Sequence, residues 1–164
     1  MELMETYYNA NHAFNSLRAD IIDKGIPFAN TKALFNIGFY LQNPLDNKIT
    51  NKERNWKEEY AEAEWQWYLS GDRNIKKLGD IYGKIPPIWE RMADHNGNVN
   101  SNYGWQWLRN DQYEYIIDKL KFENDTRHAA ISIYDCKENL DYENDTPCTY
   151  AVQFTIINDK LCMS

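Results

Sequence analysis

From Cys148 to Ile157 every second residue belongs to one set: Cys148, Tyr150, Val152, Phe154 and Ile156. Successive side chains of a strand point to opposite faces, so these five share one side of a predicted strand. Asn158-Asp159 follows, a pair suited to a tight hairpin turn, and Lys160 to Ser164 reads as the start of a returning strand. An antiparallel hairpin is therefore expected at this end of the chain.

What precedes it is mostly helical in pattern. Ala10, Phe14, Leu17 and Ile21 recur at helical spacing, with Gly25 placed to stop the helix. After the turn Gly25-Ile26-Pro27, the run Ala33 to Leu41 predicts a strand, and Asn43-Pro44 and Asp46-Asn47 mark a loop. Thr50 with Glu53 fits a capping box, and Gly71 fits the C-terminal stop of the helix that follows. Trp56, Tyr60, Ala63 and Trp67 draw a buried stripe along that helix, and Glu64 lies against it. Residues 82–104, with Gly83, Pro86, Pro87, Gly97 and Gly104, read as a long loop-rich stretch. A helix from Asn110 buries Tyr113, Ile116, Ile117 and Leu120, and Ala130 to Tyr134 reads as a strand. The expected fold is α+β: a mixed, largely antiparallel sheet with packed helices, in a single domain over residues 1–164. A last strand ending a few residues after its turn suggests that this fold is incomplete at its C-terminal side.

Composition narrows the function. A net charge of −7 disfavours indiscriminate binding to nucleic acid, so an anionic small molecule needs a local cluster of cations. Three cysteines, with no CxxC pair, suggest neither a disulfide framework nor a zinc site. No signal sequence is visible and no apolar run approaches the roughly 20 residues that span a bilayer, so a cytoplasmic setting is expected and membrane binding is not.

Five positions are open to chemistry, each with a plainer reading beside it. Cys148 is either a small buried hydrophobe of its strand or a nucleophile activated by its surroundings. Glu64 either escapes to solvent at the helix edge or is desolvated by aromatics, which would raise its pKa toward a range useful for proton transfer. Arg127 either pairs with Asp125 in a solvated loop or offers its fork to a phosphate. Trp89 and Tyr103 are core aromatics or ligand contacts.

Four segments, in order and at compatible spacing, resemble the thymidylate synthase and deoxycytidylate hydroxymethylase superfamily. Glu64-Trp65-Gln66-Trp67-Tyr68-Leu69-Ser70-Gly71-Asp72-Arg73-Asn74 is similar to a glutamate-bearing helix ending in a Gly-Asp-x-Asn turn. Ile88-Trp89 through Asn100-Ser101-Asn102-Tyr103-Gly104-Trp105 resembles the cofactor and substrate region with its Tyr-Gly pair. Asn124-Asp125-Thr126-Arg127-His128 resembles an Asp-Ser-Arg-Arg segment, and Pro147-Cys148-Thr149 through Gln153-Phe154 resembles the nucleophile strand. The likeness runs from about residue 60 to the end, and more faintly before it. The 100–105 run and Thr149, standing where synthases carry His, lean toward the phage hydroxymethylase branch and toward DNA modification in a viral setting.

The resemblance implies a reaction. Cys148 thiolate adds to C6 of dCMP or dUMP and makes C5 a carbon nucleophile. That carbon takes the one-carbon unit of 5,10-methylenetetrahydrofolate, with Glu64 managing protons. Water then completes a hydroxymethyl group, or hydride from the folate a methyl group. By the same resemblance Trp89 packs near folate, Tyr103 lines the site beside Cys148, and Arg127 binds phosphate across a homodimer interface. His128 replaces the family's second arginine, which makes phosphate binding weaker or more pH-sensitive. The family's early arginine loop has only Lys32 as a weak substitute, and the family extends well past position 164. A catalytically silent fragment, or one half of a split enzyme, is the alternative from another class.

Overall fold

The structure, a computed structural model, describes residues 4–164, and it divides into two compact units that meet in sequence at Glu58–Glu59. In the first, β1 (Glu5–Tyr7) pairs in parallel with β4 (Phe39–Leu41), and β2 (Ile26–Phe28) pairs antiparallel with β3 (Thr31–Ala33). Helix α1 (Ala10–Lys24) starts where the side chain of Asn9 accepts from the His12 N–H at 2.8 Å, satisfying one of the amides that a helix start leaves orphaned. It ends at Gly25, as its spacing predicts. The strand expected from Ala33 to Leu41 is instead two short ones in different sheets. Asn36, in the left-handed region at φ 58°, lies between them, a conformation no strand sustains.

The second unit opens with α2 (Glu58–Leu69), which begins eight residues after the Thr50 that its sequence offers as cap. Asn51 takes over: its side chain accepts from the Glu53 N–H at 2.9 Å and starts a 3-10 turn, Lys52–Arg54. Asn55, left-handed at φ 49°, ends that turn, and Thr50 donates its N–H to Asn11 instead. Trp56 thus precedes the helix, while Ala63 and Trp67 are buried as the stripe requires. Gly71 stops the helix at φ 63°. Helix α3 (Ile75–Tyr82) runs from an Asn74 cap to Gly83 at φ 83° and went unforeseen, because Asn74 reads as the end of a turn as readily as the start of a helix.

The stretch 82–104 is not all loop. Pro87 opens α4 (Pro87–Met92), a use of proline where its missing N–H costs nothing, and Asn102 caps α5 (Tyr103–Leu108) by accepting from the Trp105 N–H at 2.8 Å. A turn at Arg109–Asp111 follows, and α6 (Gln112–Phe122) starts two residues after Asn110, since Asn110 and Asp111 are both left-handed. Ile116 is buried in α6 as expected, whereas Tyr113 is exposed.

The meander β5 (Ala130–Ser132), β6 (Ala151–Ile157) and β7 (Lys160–Met163) is antiparallel throughout. Asn158 and Asp159, at φ 50° and 60°, form the hairpin turn that their chemistry predicts. Strand β6 is shorter than its alternation suggests, so Cys148 lies on the segment leading into it, exposed rather than on the buried face. The observed class is α+β, of mixed pairing with the larger sheet antiparallel.

Two apolar clusters hold this unit. Trp67, Leu78 and Val99, wholly buried, join α2 to α3 and the following segment, with Trp89 and Met92 of α4 packed against them. Ile116 of α6 meets Ala129, Ile131 and Ile133 around β5, with Trp107 and Phe154 alongside. At about 25 cal/mol per Å² of apolar surface removed from water, side chains of this size each contribute on the order of 2 kcal/mol.

Candidate active site

The site is organised by a close approach of two helices. Gly104, in the first turn of α5, lies so near the end of α2 that a Cβ there would stand 1.6 Å from the carbonyl oxygen of Tyr68. This contact brings Tyr103 beside Tyr68, their rings edge to face at 5.9 Å. The Tyr103 hydroxyl in turn accepts from the backbone N–H of Cys148 at 2.9 Å and of Thr149 at 3.3 Å. The same loop is tied down upstream. Buried Asp145 accepts from the Ser101 N–H at 2.6 Å and from its hydroxyl at 2.8 Å, and Asn100 Nδ2 donates to the Asp145 carbonyl at 2.9 Å. The 100–103 segment thereby fixes the backbone on which the exposed Cys148 thiol is carried.

Glu64 faces the same aromatic ground from α2. Its Oε1 accepts from the Tyr60 hydroxyl at 2.8 Å, and that hydroxyl accepts from Trp89 Nε1 at 2.7 Å, making a relay of Trp89, Tyr60 and Glu64. Burial pushes the Glu64 carboxyl above its ordinary value of 4.5, and the bond from Tyr60 holds it back in part. Burial also raises the pKa of Tyr60, against the opposing bond from Trp89 and with the Glu64 bond adding to it, so it stays a proton donor. Tyr68 is pushed up as well, first by burial and then by Glu64, Tyr60, Tyr103 and Asp145. Trp89 packs edge-on against Trp67 at 5.3 Å, so it is a core aromatic and a half-exposed one at once.

Of the residues singled out from sequence, Glu64, Trp89, Tyr103 and Cys148 are thus linked through Tyr60 and Tyr68. Arg127 and His128 belong to a separate patch: both are exposed between α6 and β5. Among the described residues no hydrogen bond or ion pair engages the Arg127 side chain, so the expected alternative of a pair with Asp125 is absent. Lys32, in the N-terminal unit, donates to the Ile22 carbonyl at 2.7 Å. A cavity of about 380 Å³ in the C-terminal unit, bounded in part by Arg73, Met92, Asp94, Trp105 and Glu143, touches neither Cys148 nor Glu64. The sequence reading passed over Tyr60, Tyr68, Ser101 and Asp145. Only Tyr60, four residues before Glu64 on one helix face, carried a usable signal.

With this geometry described, the chain can be set beside known proteins of similar sequence and fold. The thymidylate synthase family model matches residues 12–164, and the chain belongs to that family. Among its relatives are the deoxycytidylate 5-hydroxymethyltransferases of Enterobacteria phages T4, T2 and T6. Each is 32% identical over 111 residues, covering 63% of this chain and 44% of theirs. The crystal structure of thymidylate synthase from T4 phage is similar at a TM-score of 0.52 and 28% identity, over 64% of this chain and 42% of that one. The chain therefore spans less than half the length of the relatives it matches. No helix among the described residues is long and apolar enough to cross a membrane.

Proposed function

We propose that this chain carries the nucleophile and proton-transfer half of an enzyme that transfers a one-carbon unit to C5 of a pyrimidine deoxynucleoside monophosphate, with hydroxymethylation of dCMP or dUMP as the reaction. The observation that carries this reading is the exposed Cys148, bound through its own N–H to Tyr103, which packs against the helix bearing Glu64. Cys148 thiolate adds to C6, forming the S–C6 bond and moving the C5–C6 electron pair onto C5 and the adjacent C4 group, a carbonyl in dUMP and an amidine in dCMP. C5 then bonds to the one-carbon unit and gives up its proton, and tetrahydrofolate leaves that carbon as an exocyclic methylene forms on C5. Water adds to the methylene as the C5–C6 double bond re-forms and the thiolate leaves. Glu64, whose burial favours its protonated form, relays protons for these steps with Tyr60 as its donor.

Methylenetetrahydrofolate supplies the carbon as co-substrate. Trp89 suits its flat rings, because its indole N–H is already committed to Tyr60 and what it offers is ring surface. Arg127, with no partner in its own chain among the described residues, and His128 beside it suit a nucleotide phosphate, on a second copy in a homodimer. Thr149 after the nucleophile and the names of the phage relatives support the hydroxymethyl product over the methyl one.

The test is tritium release from 5-³H-dCMP and 5-³H-dUMP with methylenetetrahydrofolate, for this chain and for Cys148→Ala. Release that the substitution abolishes supports C5 activation; the faster nucleotide sets the base, and product analysis separates hydroxymethyl from methyl. No release from folded protein rules out turnover by this chain alone and leaves the split-enzyme or silent reading.

A further inference from the structure

The peptide unit that joins Pro147 to Cys148 has two hydrogen-bonding ends, and both are held by tyrosines from elsewhere in the chain. Its N–H donates to the Tyr103 hydroxyl at 2.9 Å. Its carbonyl, that of the buried Pro147, accepts from the Tyr134 hydroxyl at 2.8 Å. Tyr134 lies two residues beyond β5, where the N–H groups of Ile133 and Tyr134 donate to the Tyr150 carbonyl and its ring packs at 5.0 Å against that of Tyr150. It therefore reaches the nucleophile's peptide from the sheet side, while Tyr103 reaches it from α5.

We propose that Tyr134 is a positioning residue for the nucleophile: with Tyr103 it grips a single peptide group at both ends and fixes the plane from which the Cys148 side chain departs. The proposal rests on the reading of Cys148 as nucleophile given above. A planar group held at one end still pivots about that contact, whereas two opposed bonds remove the pivot. Polarising the carbonyl also strengthens the N–H as a donor, so the two bonds support one another. The pKa of Tyr134 is raised, by burial first and then by Tyr150 and Cys148, which keeps its hydroxyl a donor through the neutral range. For a thiol that must meet one carbon at one angle, orientation held in advance is a direct contribution to rate.

The experiment labels the chain with ¹⁵N-cysteine, whose three amide signals are assigned by Cys148→Ser. In Tyr134→Phe the ring stays against Tyr150 and only the hydroxyl is lost. Amide exchange at Cys148 is expected to accelerate about tenfold, in keeping with one net hydrogen bond, with Cys136 and Cys162 unmoved. The single-turnover rate of tritium release falls by a similar factor, while nucleotide KM stays within about twofold. Alkylation of Cys148 by iodoacetamide, a small reagent that needs no fixed approach, keeps its rate and pH profile. Tyr115→Phe, which removes an exposed hydroxyl, controls for the substitution itself, and Tyr103→Phe releases the opposite end and accelerates the same amide. Unchanged Cys148 exchange in folded Tyr134→Phe overturns the grip. An unchanged release rate, or an alkylation rate that falls in parallel, overturns the positioning role. If the unsubstituted chain releases no tritium, turnover by this chain alone is ruled out, and amide exchange still decides the grip.

Discussion

A carboxyl whose burial disfavours its charge works against the fold whenever that charge is present, and Glu64 is such a group. Its folded pKa lies above its ordinary value of 4.5, so the folded state holds its proton to higher pH than the unfolded chain does. The resulting penalty is absent below about pH 4, grows as pH rises toward the folded pKa, and is full above it. Glu64→Gln keeps an acceptor for Tyr60 and removes the charge. Thermal melts of this variant should run above those of the unsubstituted chain at pH 8 and coincide with them near pH 4. Tritium release should fall by roughly two orders of magnitude, the usual loss on removing a general acid or base. The position of Glu64 was legible in the sequence, since its spacing from Tyr60 and Trp67 puts it on the aromatic face. The surroundings of Cys148 were not: alternation places it on a buried strand face, whereas the Tyr103 and Tyr134 bonds to its peptide hold it on an exposed approach to β6. Periodicity reports which face a residue shares, and says nothing of a tyrosine hydroxyl arriving from 45 residues away.

Between elements, the narrowest tolerance is the contact of α5 with the end of α2. Gly104→Ala sets a methyl group against the Tyr68 carbonyl, a backbone atom that cannot turn aside, and should cost about 1–3 kcal/mol or more. Gly83→Ala meets open space and is strained only by its left-handed backbone, at about 1–2 kcal/mol. Urea midpoints rank the two, but Cys148 is the sharper readout: the first variant should also perturb its amide signal, the second should not. At the hairpin, Asp159 stands at φ 60°, where glycine is unstrained, so Asp159→Gly should raise the melting temperature by the equivalent of up to about 1 kcal/mol. Elements whose signals are local, such as α1 and this turn, could be read from the chain. Those decided by competition could not. Asn51 displaces Thr50 as cap, Asn55, Asn110 and Asp111 adopt left-handed backbone, and the start of a helix moves by up to seven residues.

For the whole molecule, the division between units falls just after exposed Lys52, Arg54 and Lys57. Limited trypsin treatment of the full chain should cut first after Arg54 or Lys57, because the 50–53 backbone is held by Asn11 and Asn51 and by the ion pair of Arg18 with Glu53. Mass spectrometry of the first products decides this, and initial cleavage within α6 or the meander would refute it. The α+β class was readable from one alternating run and several helical stripes, whereas the parallel pairing of β1 with β4 was not, since it joins two three-residue strands 34 positions apart. The grip on the Cys148 peptide carries a consequence for descent. Tyr103 and Tyr134 hold amide hydrogens and a carbonyl, which every residue but proline presents alike, so the anchor ignores the side chain at 149. Mutation can wander there without loosening either bond, while the thiol next door keeps its aim.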